Sequence, residues 1–238
     1  MQDSARTRAY LDAMGVTRWV RRSAAPAAAN IVRAGEVFPD RVRAPQTPRA
    51  DDQLDWETLA TRVAACTLCA LHQGRTQTVF GVGDRAAEWL VIGEAPGAEE
   101  DKRGEPFVGR AGQLLNSMLA ALGLARSQIY IANILKCRPP ANRDPQASEV
   151  TACEPYLLHQ IALIRPKIIL AVGRIAAQNL LKVQTPIGKL RGQRHVFGAD
   201  EIPLVVTYHP AYLLRSPSEK RRAWQDLRFA QQVLLAQP

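Results

Sequence analysis

The sequence predicts an α/β fold: a three-layer α/β/α sandwich around a central, mainly parallel four-stranded sheet. The first observation behind this is a set of four short apolar runs, rich in β-branched residues, at Trp89–Gly93, Ile129–Leu135, Lys167–Val172 and Leu204–Thr207. Runs of this length and composition read as strands buried on both faces. The second is that patterns of helical period lie between and after them, at Gln113–Leu122, Ser148–Ile164, Arg174–Leu181 and Ser218–Leu235. Alternating strands and helices place helices on both faces of a parallel sheet, with working loops at the carboxyl ends of the strands. The third is a glycine-bounded loop, residues 93–112, that leaves the first strand and leads into a helix.

Residues 1–50 differ in character from the rest. They hold nine arginines against four acids, so +5 of the net charge of +9 sits there. Residues 5–20 offer a partial apolar face for a short helix, from Tyr10, Leu11 and Met14. Pro26, Pro39, Pro45 and Pro48 then break any regular element. The segment reads as a basic, flexible extension that tethers the chain to DNA or to a partner protein. From Asp51 to the C-terminus the pattern is that of one domain. The 47% apolar content of the chain supplies a core, and a helix over Leu54–Cys69 closes in a Cys-x-x-Cys turn. The basic balance favours a polyanionic partner. The chain has no apolar run of bilayer length, no signal-peptide core and only four cysteines, which predicts a soluble, cytoplasmic protein without membrane contact.

The loop after the first strand carries a carboxylate at its first turn, Glu94, and an aromatic at its far end, Phe107. It lacks the Lys-Ser/Thr of a P-loop and the spacing of a dinucleotide fingerprint, so it suits a flat ring better than a nucleotide phosphate. Cys66 and Cys69 are spaced to face one metal, and the fold must bring Cys137 and Cys153 to them. Zinc and an iron–sulfur cluster both accept four thiolates, and spacing alone does not separate them.

Gly93-Glu94-Ala95-Pro96-Gly97 and Pro106-Phe107-Val108-Gly109-Arg110-Ala111-Gly112 strongly resemble family 4 uracil-DNA glycosylases. So do Asn133-Ile134-Leu135-Lys136-Cys137-Arg138-Pro139-Pro140 and His209-Pro210-Ala211-Tyr212-Leu213-Leu214-Arg215. The resemblance runs from about Asp51 to the C-terminus. It implies a DNA-repair hydrolase that releases free uracil and leaves an abasic site, with water completing the reaction and no nucleotide cofactor or divalent metal. It also implies that Cys66, Cys69, Cys137 and Cys153 hold a structural 4Fe-4S cluster, and that the enzyme acts on uracil-containing DNA as a monomer. A related branch that traps uracil-DNA covalently carries a Lys-Arg-Arg-Ile-His insertion after the second strand. The corresponding loop here, residues 137–145, has no histidine, so turnover is expected. The alternative is a non-catalytic nucleic-acid-binding module that keeps the fold and the cluster.

On this reading Phe107 stacks on an extruded uracil, which must leave the base stack to be reached. The Asn133 amide donates to a ring carbonyl and accepts from the ring N–H, a pattern that cytosine reverses. His209 hydrogen-bonds the carbonyl on which anionic charge develops, an interaction typically worth ~3–4 kcal/mol of barrier. Glu94 stabilises the cationic sugar or orients the water, and Gly93 and Ala95 bring backbone groups close to the ring. Leu213 and Leu214, read as part of an exposed turn, form a candidate wedge for the gap left in the stack. Arg191, Arg194 and Arg215 belong to the densest basic cluster of the domain, suited to phosphates.

Overall fold

The structure is a computed structural model that describes residues 54–237. The expected basic extension, including the helix at residues 5–20, lies outside the described residues.

Helix α1 (Trp56–Ala64) starts at Asp55, whose carboxylate accepts the Thr58 N–H at 2.7 Å. It buries Leu59 and Val63. It ends five residues before the expected boundary, and its end has a specific cause. The Arg75 guanidinium donates to the carbonyls of Ala64 and Cys66 at 3.0 and 2.9 Å, filling acceptors that a continuing helix would use. The Cys-x-x-Cys segment is therefore a loop, followed by a short 3-10 turn at Ala70–Gln73.

The sheet has six strands rather than the expected four, in the order β1-β3-β2-β4-β6-β5. Its parallel centre is the predicted set: β2 (Trp89–Gly93), β3 (Tyr130–Asn133), β4 (Ile168–Val172) and β6 (Ile202–Thr207). Two antiparallel edges were not anticipated. One is β1 (Val82–Gly83), which pairs with β3; the other is β5 (Arg194–Phe197), which pairs with β6. The helices between are α2 (Ala98–Arg103), α3 (Arg110–Ala121), α4 (Ala147–Ile164), α5 (Arg174–Leu181), α6 (Ile187–Leu190), α7 (Pro210–Arg215) and α8 (Lys220–Leu235).

Period-two alternation divides the sheet's side chains between two cores. Leu90, Ile92, Ala132, Ile169, Ala171, Leu204 and Val206 face α4 and α5, through Leu157, Ile161, Ala177 and Leu180. Trp89, Val91, Ile131, Ile168, Leu170, Val172 and Val205 face α3 and α8, through Leu115, Leu119, Leu227 and Ala230. Every residue of β2 and β4 is buried, which is why these strands read as unbroken apolar runs. The chain runs from β2 to β3 on one side, then crosses to β4 on the other side of β2. This reversal opens a crevice at the carboxyl ends of the parallel strands, where such sheets bind ligands.

Candidate active site

A cleft of about 760 Å³ lies over the carboxyl ends of the parallel strands. Each of the four working loops contributes to it: Glu94–Gly97 after β2, Asn142–Asp144 after β3, Gly173–Ile175 after β4, and Tyr208, His209 and Tyr212 after β6. Phe107 and Asn133 form part of its wall.

The floor begins with sheet register. Gly93 and Asn133 are paired neighbours at the ends of β2 and β3. A β-carbon on Gly93 would come within 2.5 Å of Asn133 Oδ1 and 2.6 Å of Phe107 Cζ, so only glycine lets the amide and the ring share this space. The Gly93 carbonyl accepts the Ile134 N–H at 3.0 Å. Gly93 is thus a spacer under the cleft, whereas Ala95 lines it. Asn133 is buried, and its Oδ1 has no hydrogen-bond partner. A buried amide oxygen left unpaired is costly unless a ligand supplies the donor.

Phe107 adopts a left-handed backbone conformation with φ 54°. Glu100, from α2, holds it there: its Oε1 accepts the amide hydrogens of Val108 at 2.9 Å and Gly109 at 3.0 Å. Gly112 in the first turn of α3 completes the fit, since a β-carbon there would strike the Phe107 carbonyl oxygen at 1.8 Å. Asp101 anchors the other side of α2, accepting from the Thr76 backbone amide and hydroxyl.

The His209 ring lies 5.7 Å from that of Phe107, with an interplanar angle of 31°. It caps the N-terminus of α7, where its Nδ1 accepts the Ala211 N–H at 3.2 Å. A neutral imidazole with Nδ1 occupied as acceptor carries its proton on Nε2. Burial, aided by the positive charge of Arg215, pushes the His209 pKa down to about 4, so the ring is neutral at physiological pH. Glu94 shifts the opposite way, to about 7, chiefly through burial and then through the Asp144 carboxylate, against the pull of Arg174. Arg174 pairs with Asp144 at 2.6 Å.

The candidate DNA-contact residues separate. Leu213 is 1% exposed and belongs to the core, because the short helix α7 turns it inward; this corrects its placement on an exposed turn. Leu214 is 37% exposed. Arg191 is withdrawn from solvent: its Nε donates to the buried Asp226 carboxylate at 2.7 Å and its guanidinium lies 4.2 Å from the Tyr208 ring centroid. It braces β6 and α8 and is not free for phosphate. Arg194 is exposed on the edge strand β5, away from the cleft lining, and Arg215 is on the cleft rim. Glu100, Asp144, Arg174 and Tyr208 were not singled out from sequence. Glu100 sits beside Glu99 with nothing local to tell them apart, and the other three acquire their places only through the crossing of the chain.

Cys66, Cys69, Cys137 and Cys153 line one narrow cavity on the α1 and α4 side. Cys137 Sγ accepts from Arg75 Nη1 at 3.1 Å and Cys153 Sγ from the Lys136 N–H at 3.3 Å. Burial raises both thiols above the usual range, Cys153 to about 11. Among the described residues no three His, Cys, Asp or Glu side chains gather to hold a metal ion. Four cysteines around one cavity form a donor set that a tetrahedral metal ion or an iron–sulfur cluster accepts. Among the described residues no helix is long and apolar enough to cross a membrane.

The uracil DNA glycosylase superfamily model matches residues 80–228. A type-4 uracil-DNA glycosylase of Archaeoglobus fulgidus is 42% identical over 178 residues, covering 72% of this chain and 89% of its own. One of Thermotoga maritima is 44% identical over 169 residues, covering 70% and 86%. A type-5 uracil-DNA glycosylase of Pyrobaculum aerophilum is 32% identical over 146 residues, covering 55% and 64%.

Proposed function

The chain belongs to the uracil-DNA glycosylase superfamily and, within it, to the type-4 enzymes, and from that premise we propose how its cleft performs the reaction. It is a DNA-repair glycosylase that hydrolyses the N-glycosidic bond of uracil in DNA. The observation that carries the site assignment is the buried, unpartnered Oδ1 of Asn133 beside the Phe107 ring. Uracil offers an N–H donor next to a carbonyl acceptor on one ring edge. Oδ1 accepts that N–H, the amide NH2 donates to the adjacent carbonyl, and cytosine presents an acceptor and a donor in the wrong places. Phe107 supports the ring by stacking.

His209 acts as a neutral donor. Its Nε2–H meets the second uracil carbonyl as the bond to the sugar breaks and charge develops on the base, while Ala211 N–H keeps Nδ1 occupied. A pKa near 4 makes the ring a hydrogen-bond donor that keeps its proton, so uracil leaves as a stabilised anion. Glu94 stabilises the cationic sugar and, once ionised, accepts a proton from the incoming water. Leu214 fills the vacated stack and Arg215 meets the adjoining phosphate, a reading supported by the exposure of the leucine and the position of the arginine on the cleft rim.

Cys66, Cys69, Cys137 and Cys153 hold an iron–sulfur cluster, supported by their common cavity and the donor chemistry of four sulfurs. The cluster supplies a cross-link between the α1 loop, the β3 loop and α4. Its cavity is separate from the cleft, so bond cleavage falls to the cleft residues. A monomer at work in the cytoplasm, tethered through residues 1–50, completes the reading; a DNA substrate and the basic charge of that segment support it. Incubation with single- and double-stranded oligonucleotides containing one uracil, followed by alkali, tests the function. Strand scission at uracil is expected, with none at cytosine, and intact strands would refute it.

A further inference from the structure

Two cations that bury part or all of their side chains lie against the thiol cavity without a carboxylate partner. Lys136 is 1% exposed. Its ammonium donates to the Asn133 carbonyl at 3.1 Å and to Gln160 Oε1 at 2.5 Å, both uncharged. Gln160 is itself held in place by donating to the Phe80 carbonyl at 2.9 Å. Arg75 is part-buried and donates to the carbonyls of Ala64 and Cys66 and to Cys137 Sγ. Among the described residues neither has an Asp or Glu within ion-pair distance. An unmatched charge in a dry interior is unfavourable unless an opposite charge lies close by.

The opposite charge is supplied at the thiols. Arg75 reaches Cys137 Sγ with its guanidinium, whereas the contact at Cys153 Sγ is the Lys136 main-chain N–H; the Lys136 ammonium, turned to Asn133 and Gln160, acts on that thiol through its charge. Both residues line the thiol cavity together with all four cysteines. We propose that Arg75 and Lys136 are the counter-cations of an anionic four-thiolate cluster and that they set its reduction potential. The inference rests on the iron–sulfur reading above. Four thiolates around an oxidised four-iron, four-sulfide core are doubly negative in sum, and two cations offset that charge. Net charge and hydrogen bonds to sulfur are the protein's means of moving such a potential. A nearby cation favours the more negative, reduced state, so its removal shifts the potential to more negative values. Lys136 also grips the Asn133 carbonyl, which links the cluster wall to the uracil-reading strand end.

The test uses the full-length protein purified anaerobically, with Lys136→Met, Arg75→Gln, Arg75→Lys and, as a surface control, Arg228→Gln. Iron and acid-labile sulfide per chain are measured first, then midpoint potentials by spectroelectrochemistry. The proposal expects iron and sulfide in equal amounts in the wild type. It expects a negative shift for Lys136→Met and for Arg75→Gln, recovery toward wild type in Arg75→Lys, and no shift in Arg228→Gln. Should Lys136→Met fail to load, the Arg75 pair decides alone, because that side chain reaches the cavity from its half-exposed side. Loaded variants with wild-type potentials would overturn the counter-cation role and leave the cluster standing. Zinc without sulfide in the wild type would remove the cluster reading itself, and the proposal with it.

Discussion

Gly93 and Phe107 meet so closely that a single methyl group on the glycine would lie 2.6 Å from the tip of the phenylalanine ring. The same methyl would press on Asn133 Oδ1. The proposed stacking surface and the proposed base-reading amide therefore both depend on one missing side chain. Gly93→Ala should displace both and slow uracil release under single-turnover conditions by about 10²-fold, the order expected when reacting groups are misplaced by an ångström. Nonspecific DNA affinity, measured by fluorescence anisotropy, should change little.

The two adjacent leucines of α7 should separate cleanly. Leu213 is core, and Leu213→Ala should destabilise the fold by about 2–5 kcal/mol, read from chemical denaturation. Leu214→Ala should leave stability within about 0.5 kcal/mol, as exposed substitutions do. It should instead weaken capture of the flipped base, seen as a slower single-turnover rate on duplex than on single-stranded uracil substrate.

The pH profile follows from opposite shifts. Glu94 is raised to about 7 by burial and by Asp144, and the proposed mechanism uses it as the ionised base, so the cleavage rate should rise as pH increases through about 7. His209, lowered to about 4, is already neutral throughout that range and contributes no second limb above pH 5. Glu94→Gln should lower the rate and flatten the rise. A rise of unchanged shape in Glu94→Gln would assign the ionisation to another group.

Asn133→Asp replaces the amide donor with an acceptor. It should cut uracil cleavage and raise cytosine cleavage relative to it, measured as the ratio of single-turnover rates on matched oligonucleotides. An unchanged ratio would remove Asn133 from base discrimination.

How far these features could be read from the sequence depends on whether their cause is local. The strands β2, β3, β4 and β6 were legible because burial on both faces leaves continuous apolar runs. The edge β5 was not: of Arg194, His195, Val196 and Phe197 only Phe197 is buried, so no apolar run marks it, and the two residues of β1 are too few to show any pattern. Helix α2 escaped because Ala98–Arg103 carries five charged residues inside a glycine-rich loop. Glu94, Phe107, Asn133 and His209 stood in recognisable motifs, and the fold brings all four to one cleft. The role of Glu100 depends on where the chain returns eight residues later, and that of Arg191 on Asp226, thirty-five residues away. Choosing Leu214 over Leu213 required the rotational phase of a helix only six residues long.

In the proposed mechanism a neutral His209, whose Nδ1 accepts the Ala211 N–H, stabilises the departing uracil. The most direct test is the single-turnover rate of free-uracil release by His209→Ala against wild type, at saturating enzyme and pH 8. A loss of roughly 10²–10³-fold with DNA affinity retained is expected. A His209→Ala rate close to wild type would contradict it.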